Sequence, residues 1–596
     1  MKELLKLGVY TLLGTLLLSA PFAGLGMLST HLVTEKTFWI QLITLFLSAV
    51  SLQGLWLNPS KELCPWTYVD ILPLSLLGLI LLSYPYSIHP EPEKLLFIGQ
   101  MVVLWYLLRQ VLHECPVLIG YFSMFFIATG LIEAIWGFRQ LQGWAYSNHS
   151  LFRLTGSFFN PGPYSGYLAI TLPVALGILL EQSKRNMPYY LSMGCIGTAI
   201  VVLPAGMSRS AWIAVVVSCA WVYALYRLDR KQAATRLRQH KRGYIIGGIL
   251  GGSASLYTLK KDSADGRFLM WKITTKAIQK QPITGTSLGG FPAAYAETQA
   301  EYMASGKATE QEKLVAGCPE YAFNEYLQIG LEQGLVGLAL FIGWLGLLFY
   351  KGIKNKRYAC CGGLMSLAIF AFSSYPLQLP EFWVVLIFLG VMSVTPDKDE
   401  IRENQAESNG HRWGKQIFFM GIAILGIGLF WMQKDHYKAY QQWNKAQMYY
   451  KNKAYEAALE VYEPLYPLLK HKPEFLFEVA QCLSKTGRYE KANGYLERAV
   501  LLSSDPMLYY VMAKNEQCLG EYRQAEKHLL HAIDILPERI YPYYLLMNLY
   551  TEPSYFQPAK LKMAIDSVLT KKPKVESSAI KEMKEKARSM LNNTSI

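Results

Sequence analysis

Thirteen apolar segments, each close to the length of a bilayer span, constrain the fold of this chain more than any other feature. A spanning helix needs about 20 mainly apolar residues. The segments lie near residues 5–26, 37–57, 67–85, 94–112, 116–136, 163–180, 189–205, 209–227, 243–259, 324–350, 358–375, 380–395 and 414–432. Residues 1–432 are therefore predicted to form an all-α, polytopic transmembrane helical bundle of about 12–13 spans.

The first segment follows Lys2 and Lys6 and ends near Ala20, a pattern that secretory signal peptides share. Because further dense apolar segments follow it, we expect an uncleaved first span.

Charged residues are only 17% of the sequence, whereas a soluble chain usually carries about 25%, so a purely soluble protein is disfavoured. The net charge of the chain is +14. In a membrane protein, such an excess of lysine and arginine usually lies in the loops that orient the chain, so we do not expect a nucleic-acid partner.

Lysine and arginine concentrate in three loops, at residues 181–188, 227–242 and 351–357. With thirteen spans and a cytoplasmic N-terminus, all three loops fall on the cytoplasmic side. The long loop 260–323 and everything after residue 432 then lie on the other side. ATP and nucleotide sugars are absent there, so chemistry on that face needs a pre-activated substrate delivered by the membrane.

The C-terminal region, residues 433–596, is polar and repeats itself. Tyr455, Tyr489 and Tyr522 begin similar stretches and are spaced 34 and then 33 residues apart. Helix pairs of about 34 residues, with small residues where the helices cross, are typical of tetratricopeptide repeats. We predict an α-solenoid of this type, with a fourth, degenerate unit near 538–572, and its concave surface would suit a protein partner.

Polar groups and helix breakers interrupt the apolar sequence at four places, residues 133–140, 153–163, 206–212 and 266–337. The second is either a simple turn or a lining for substrate, because Gly and Pro expose backbone N–H groups there. In the third, Arg209 opens a span beside Ser208 and Ser210. A helix N-terminus with these donors suits an anion, and the alternative is an arginine that snorkels to the interface.

Three polar residues share one helical face where the chain re-enters the membrane, namely Glu325, Gln328 and Glu332. Carboxylates at that depth are unfavourable unless they face an aqueous cavity or pair with cations. Arg209 and Arg267 are predicted to lie on the same side of the membrane.

These stretches resemble the O-antigen ligase superfamily, whose shared domain also occurs in O-antigen polymerases and protein O-oligosaccharyltransferases. The resemblance covers about residues 120–350 and a tetratricopeptide tail occurs in some members. Its motifs are Gly156 to Pro161, Ser208 to Trp212, Arg267 with Trp271, Pro282 to Phe291, and Asn324 to Gly334. We therefore divide the chain into a transmembrane domain (1–432, with the loop 260–323) and a repeat domain (433–596).

The resemblance implies transfer of a glycan from an undecaprenyl diphosphate donor at the periplasmic face of a bacterial inner membrane. Arg209 and Arg267 would bind the diphosphate and act in catalysis, because guanidinium groups bind phosphate oxygens in bidentate fashion. Ser208 and Ser210 would assist them. The residues expected to line the substrate are Arg153, Asn160, Glu320, Asn324, Tyr326 and Gln328.

One position departs from the family pattern. Many ligases have a histidine directly before the Asn-Glu/Asp-Tyr-Leu element, and this chain has Phe323 there. A phenylalanine cannot accept a proton, so the base is a carboxylate, with Glu325 as the first choice and Glu320 as the second, or no strong base is needed. No cofactor or metal is expected. The pair Asp262/Asp265 lacks a third ligand, and Asp397/Asp399 resembles a metal-binding motif but lies in a charged linker, residues 395–413, where we expect exposure to solvent.

Several functions remain open at this point. The acceptor is a lipid A-core sugar, a protein Ser or Thr, or another glycan, and the repeats favour a protein acceptor or partner. A polymerase that joins glycan units is the second interpretation. A non-catalytic membrane scaffold would leave Arg209, Arg267 and Glu325 without a role. A transporter would need charge pairs at mid-membrane and repeated halves, which the sequence does not indicate.

Overall fold

A computed structural model of the protein describes residues 2–24, 32–57, 63–87, 90–182, 184–229, 261–396, 412–573 and 576–593. These residues form helices, turns and loops, and none of them lies in a β-strand. The predicted all-α architecture, a membrane bundle followed by a helical solenoid, is confirmed.

The membrane bundle contains helices at twelve of the thirteen predicted positions, and the predicted span 243–259 lies outside the described residues. The helices are α1 (Lys2–Ser19), α2 (Leu32–Leu57), α3 (Tyr68–Ser83), α4 (Pro92–Glu114), α5 (Leu118–Leu141), α6 (Pro161–Glu181), α7 (Met187–Val202) and α8 (Arg209–Asp229). Next in the chain come α9 (Lys261–Lys280), α10 (Phe291–Ala304), α11 (Glu310–Val315) and α12 (Glu325–Glu332). The bundle then continues with α13 (Gly334–Lys354), α14 (Tyr358–Ala371), α15 (Pro380–Val394) and α16 (Arg412–Lys451). Among the described residues, eight helices are long and apolar enough to cross a membrane, namely α2 to α6, α8, α13 and α16.

Helices α4 and α6 form the centre of the bundle, because both are buried along most of their length. A helix that is apolar on all sides is expected in such a position. Helices α8 and α14 pack on α6, and α2, α15 and α16 pack on α4. The polar motifs of the bundle therefore lie mainly at the ends of its helices, and the faces of its central helices are largely apolar.

The expectation of a single span over 324–350 is wrong. The chain forms the short helix α12 (Glu325–Glu332) and then a separate span, α13, that begins at Gly334. Gly334 has a φ of 68°, and a Cβ atom there would overlap the carbonyl group of Ile283. The break therefore needs a glycine, and it keeps the polar residues of α12 out of the long span.

The bundle has two ends, which we name by the solenoid. At the solenoid end lie the starts of α6, α8 and α13, and at the opposite end Lys356 pairs with Asp229 at 3.0 Å. The predicted basic loops 181–188 and 351–357 lie at the opposite end, since α6 and α13 finish there. Much of the basic loop 227–242 lies outside the described residues.

The predicted long loop 260–323 is mostly helical and lies at the solenoid end. It contains α9 (Lys261–Lys280), α10 (Phe291–Ala304) and α11 (Glu310–Val315). Leu269, Ile273 and Phe291 form a small core with Ile535 and Leu536 of the solenoid. The loop is therefore a packed subdomain that joins the bundle to the repeats.

The solenoid consists of paired helices as the repeats predict. They are α17 (Tyr455–Tyr462), α18 (Tyr466–Leu469), α19 (Pro473–Lys485), α20 (Tyr489–Val500), α21 (Met507–Leu519), α22 (Tyr522–Ile535), α23 (Ile540–Leu549), α24 (Pro558–Thr570) and α25 (Ser578–Asn593). The three repeat tyrosines each begin a helix, and Ala492 and Ala525 are fully buried at the helix crossings. Helix α16 runs without interruption across the predicted domain boundary at residues 432/433.

Candidate active site

Arg209 is the first residue of α8, at the solenoid end of the bundle. The preceding turn is held by Trp212, whose indole N–H donates to the carbonyl of Leu203 at 3.1 Å. The hydroxyl groups of Ser208 and Ser210 lie 3.3 Å apart beside the arginine. The N-terminus and the dipole of a long helix thus coincide with two hydroxyl groups and a guanidinium, a combination of groups that suits an anion.

Arg267 lies on α9, and its guanidinium carbon is 5.5 Å from the centre of the Phe323 ring. Burial lowers the pKa of Arg267, and the positive charge of Arg209 lowers it further. The structure therefore brings the two predicted arginines together at one end of the bundle. Among the described residues, no carboxylate forms an ion pair with Arg267.

An apolar groove begins beside this pair of arginines. Trp271, one turn after Arg267, packs against Phe372 with ring centres 5.4 Å apart. The groove is lined by Ser210, Ile213, Tyr326, Ala368, Ile369, Phe372 and Ser373. It belongs mainly to α8 and the end of α14, so it runs between two membrane helices and has few polar groups.

Helix α12 begins with an asparagine cap. The side chain of Asn324 accepts hydrogen bonds from the backbone N–H groups of Tyr326 and Leu327 at 3.0 and 3.1 Å. Phe323, just before it, has a φ of 48°, which is unusual for a residue with a side chain. The motif residues therefore fix a sharp entry into the helix, and Phe323 is turned toward Arg267 by that entry.

Glu325 is buried, and both of its carboxylate oxygens accept hydrogen bonds. Oε1 accepts from the backbone N–H of Leu377 at 2.6 Å and Oε2 accepts from Nε2 of Gln378 at 2.9 Å. Burial raises the pKa of Glu325 to about 7, and α12 itself is not a membrane-spanning helix. A carboxyl group with this pKa exchanges a proton near neutral pH, as a general base does.

The other polar residues of α12 form a buried chain. Gln328 accepts from the N–H of Ala322 at 2.8 Å and donates to Glu332 at 2.7 Å, and Glu332 lies 3.6 Å from Lys94. Carboxylates at this depth are expected to face an aqueous cavity or pair with a cation, and the cation here is Lys94 of α4. The sequence did not indicate Lys94 for this role. A cavity on this side of α12 is lined by Lys94, Glu325, Gln328, Glu332 and many apolar residues.

The remaining predicted residues are spread around the solenoid end. Arg153 and Glu320 are exposed. Asn160 caps α6 by accepting from the N–H of Gly162 at 2.7 Å, and the hydroxyl of Tyr326 donates to the carbonyl of Ala368 at 2.9 Å. Asn160, Asn324, Tyr326 and Gln328 thus all form hydrogen bonds within the protein, and their contacts with substrate stay a prediction.

The stretch 153–163 is held down by two residues of α5. Gln140 accepts from the N–H groups of Thr155 and Gly156 at 2.9 and 2.7 Å, and Glu133 accepts from the N–H of Ser157 at 3.1 Å. Gly156 has a φ of 56°, and a Cβ atom there would overlap Glu133. These contacts favour the simple interpretation of this stretch, a fixed turn between two helices.

Comparison with known protein families supports both parts of the fold. Residues 194–342 match the family described as O-antigen ligase, and this range contains Arg209, Arg267 and Glu325. Residues 451–532 match the family described as anaphase-promoting complex, cyclosome, subunit 3, a match to a tetratricopeptide-type domain. None of the curated proteins matches the chain.

Proposed function

We propose that this chain, which carries an O-antigen ligase domain followed by tetratricopeptide repeats, transfers a glycan from an undecaprenyl diphosphate donor to an acceptor hydroxyl. The family supports glycosyl transfer of the ligase or polymerase type. The proposal of a lipid diphosphate donor rests on one observation, the proximity of the charges of Arg209 and Arg267 beside an apolar groove. A lipid diphosphate combines the two properties that this arrangement suits, an anionic head and a long apolar tail.

The diphosphate would lie against Arg209 and Arg267, with Ser208 and Ser210 as further donors. Two like charges repel each other, so an anion between them removes an unfavourable interaction as well as forming hydrogen bonds. The polyprenyl chain would follow the groove past Tyr326 and Phe372. Bidentate binding by guanidinium fixes the leaving group relative to the sugar.

The reaction breaks the bond between the anomeric carbon and the diphosphate oxygen, and the electron pair stays on the diphosphate. The acceptor oxygen forms the new glycosidic bond from the opposite face, with inversion, and its proton passes to a base. Negative charge grows on the leaving group in the transition state. Contacts of Arg209 and Arg267 that strengthen at that point lower the barrier rather than only binding the donor. This scheme needs no metal or cofactor.

Glu325 is the base in this proposal, because its raised pKa suits proton transfer at neutral pH. Its carboxylate faces the cavity that Lys94 also lines, whereas Tyr326 faces the donor groove. The acceptor would therefore reach the sugar from the Lys94 side of α12. Glu320, exposed on the segment before Phe323, is the second candidate.

The solenoid supports a protein as acceptor or partner. Gln299 of α10 donates to the carbonyl of Ile535 at 2.9 Å, and Ser504 donates to the carbonyl of Pro319 at 3.0 Å. The repeats thus pack on the subdomain that contains Arg267 and Glu320. A protein held on the solenoid would present its serine and threonine hydroxyl groups near the same end of the bundle.

The location follows from the same proposal. The protein would lie in a bacterial inner membrane with its N-terminus in the cytoplasm, and the solenoid end would face the periplasm. The basic loops at the opposite end agree with this orientation, because cytoplasmic loops carry an excess of lysine and arginine.

Reconstitution of the full chain with an undecaprenyl diphosphate-linked glycan tests the proposal. The expected result is glycan transfer to a periplasmic protein at Ser or Thr, detected by mass spectrometry. Transfer to lipid A-core sugar indicates a lipopolysaccharide ligase, and elongation of the donor alone indicates a polymerase. No transfer to any of the three, with folded protein and intact donor, contradicts the enzymatic proposal and supports the scaffold.

A second measurement uses the living cell. A strain that lacks the protein is compared with its parent by mass spectrometry of periplasmic and surface proteins and by gels of lipopolysaccharide. We expect loss of one glycan modification with its lipid-linked donor still present. Unchanged glycan patterns in both measurements contradict the proposal.

A further inference from the structure

We propose that Glu93, His436 and His471 bind one divalent transition metal ion of the zinc type, and that this ion fastens the solenoid to the membrane bundle. The site is separate from the arginines and from Glu325. It goes beyond the proposed glycan transfer, since the ion would be structural and the reaction scheme does not use it.

The three side chains converge on one point. Oε1 of Glu93 lies 3.3 Å from Nδ1 of His436 and 3.3 Å from Nε2 of His471. All three ligand atoms lie within 4.8 Å of one another. Zinc–nitrogen and zinc–oxygen bonds of about 2.0–2.2 Å at tetrahedral angles separate neighbouring ligand atoms by about 3.3–3.5 Å. The two distances to Glu93 therefore match the edges of a zinc tetrahedron, and the two imidazole nitrogens lie within 4.8 Å of each other.

The second oxygen of Glu93 is already held by the protein. Oε2 accepts from the hydroxyl of Tyr440 at 2.6 Å and lies 3.0 Å from Nζ of Lys472. Such contacts are common around metal sites, because they orient the carboxylate and leave its other oxygen for the ion. Oε1 is thus presented toward the two imidazoles by a fixed carboxylate.

The imidazole of His436 supports the same conclusion. Its Nδ1 atom is shielded from solvent, and its contact with Oε1 of Glu93 at 3.3 Å does not have the geometry of a hydrogen bond. A buried nitrogen without a partner is unfavourable unless another group satisfies it. A metal ion between His436, His471 and Glu93 would satisfy it, and a water molecule would complete four-coordination.

The ligand types select the class of ion. Two imidazoles and one carboxylate suit zinc and its neighbours among the transition metals, whereas calcium and magnesium prefer ligand sets made of oxygen atoms. The ammonium group of Lys472 beside the site opposes any cation. Its charge should weaken binding without removing a ligand.

The ligands come from three different elements of the fold. Glu93 lies in the first turn of α4, the central helix of the bundle, at the end nearest the solenoid. His436 lies on α16, and His471 lies just before α19. A shared ion would therefore join the bundle, the connecting helix and the first repeats. It would hold the solenoid at a fixed angle over the end of the bundle.

The test is zinc binding by the purified full chain, with an affinity tag that contains no histidine. After treatment with a chelator, the protein is titrated with Zn²⁺ against a fluorescent zinc indicator. We expect one ion per chain, with binding at least about 100-fold weaker in His436→Ala and in His471→Ala. His528→Ala is the matched control, because His528 pairs with Glu516 in a distant repeat, and it should bind like the parent.

Lys472→Ala sharpens the test, because removal of a nearby positive charge should leave binding equal to or tighter than that of the parent. Zn²⁺ should also raise the melting temperature of the parent and of Lys472→Ala, but not that of His471→Ala. The proposal is overturned if the folded parent binds no stoichiometric zinc. It is also overturned if both His436→Ala and His471→Ala bind as tightly as the parent, or if Lys472→Ala loses the ion.

Discussion

Two arginines at opposite ends of the bundle differ in what surrounds them, the buried Arg109 and the half-buried Arg267. Arg109 donates to both carboxylate oxygens of Asp70, at 2.9 and 3.2 Å, and Trp105 donates to the same carboxylate at 3.0 Å. Arg267 faces the ring of Phe323 and the charge of Arg209. The first arrangement is complete within the protein, whereas the second brings two positive charges together and suits an external anion. The difference separates a cation that supports the fold from a cation for which we propose a role in binding the donor.

The largest effect is expected from Arg109→Ala. The substitution leaves the carboxylate of Asp70 buried without its cation, which should destabilise the protein by about 3–5 kcal/mol. Thermal unfolding of the full chain in detergent measures this loss. Lys280→Ala is the control, because Lys280 pairs with Glu301 on the exposed surface and should contribute only about 0–1 kcal/mol. Equal losses in the two variants would remove the distinction between the two ends.

Arg267→Ala should leave stability unchanged and should lower kcat/KM for glycan transfer by about 10²-fold or more. Arg209→Ala should behave in the same way, and Arg267→Lys should be intermediate because lysine keeps the charge without the planar fork. The control is Arg139→Ala, an exposed arginine at the end of α5. Native transfer rates in folded Arg209→Ala and Arg267→Ala variants would show that the donor site is elsewhere.

The pH dependence of the rate should report on Glu325. A base with a pKa of about 7 is protonated below that pH, so the rate should rise about tenfold from about pH 6 to about pH 8. Glu325→Gln should lower the rate and flatten this profile, while Glu320→Gln should leave it unchanged. A flat profile in Glu320→Gln with a normal profile in Glu325→Gln would assign the base to Glu320 instead.

The smallest effect separates a helix cap from a substrate contact. Asn324→Ala removes the cap of α12 and should destabilise the protein by about 1 kcal/mol, whereas Asn324→Asp keeps the cap. If Asn324 also lines the substrate, Asn324→Asp should keep stability and lose activity. Unfolding and transfer assays on both variants distinguish the two roles.

The sequence predicted those features that depend on local patterns. Apolar segment length located the helices, and the spacing of Tyr455, Tyr489 and Tyr522 located the repeats. The alternation of spans predicted Arg209 and Arg267 at the same end of the bundle, and the charge of Arg209 indeed lowers the pKa of Arg267. Each of these inferences needed only residues that are close in sequence, or the rule that successive spans place their loops on alternate sides of the membrane.

The partners of buried polar groups could not be predicted, because they come together only when distant helices pack. Lys36 pairs with Glu381 at 3.0 Å and Lys94 with Glu332 at 3.6 Å, and neither pair shares a motif. The same holds for Glu93, His436 and His471, which no metal-binding spacing connects. The only sign of these buried pairs in the sequence was a single ionisable residue, such as Lys36 or Lys94, near the start of an apolar segment.

Helix α16 has one further consequence. Its 40 residues form one continuous rod of about 60 Å, roughly twice the thickness of the hydrocarbon layer. Because its membrane half packs on α4 and its far half carries the first repeats, a small tilt of the whole bundle in lipid displaces the far end of this rod and the repeats with it. Bilayer thickness, which sets that tilt, should therefore adjust how high above the membrane the solenoid meets its partners.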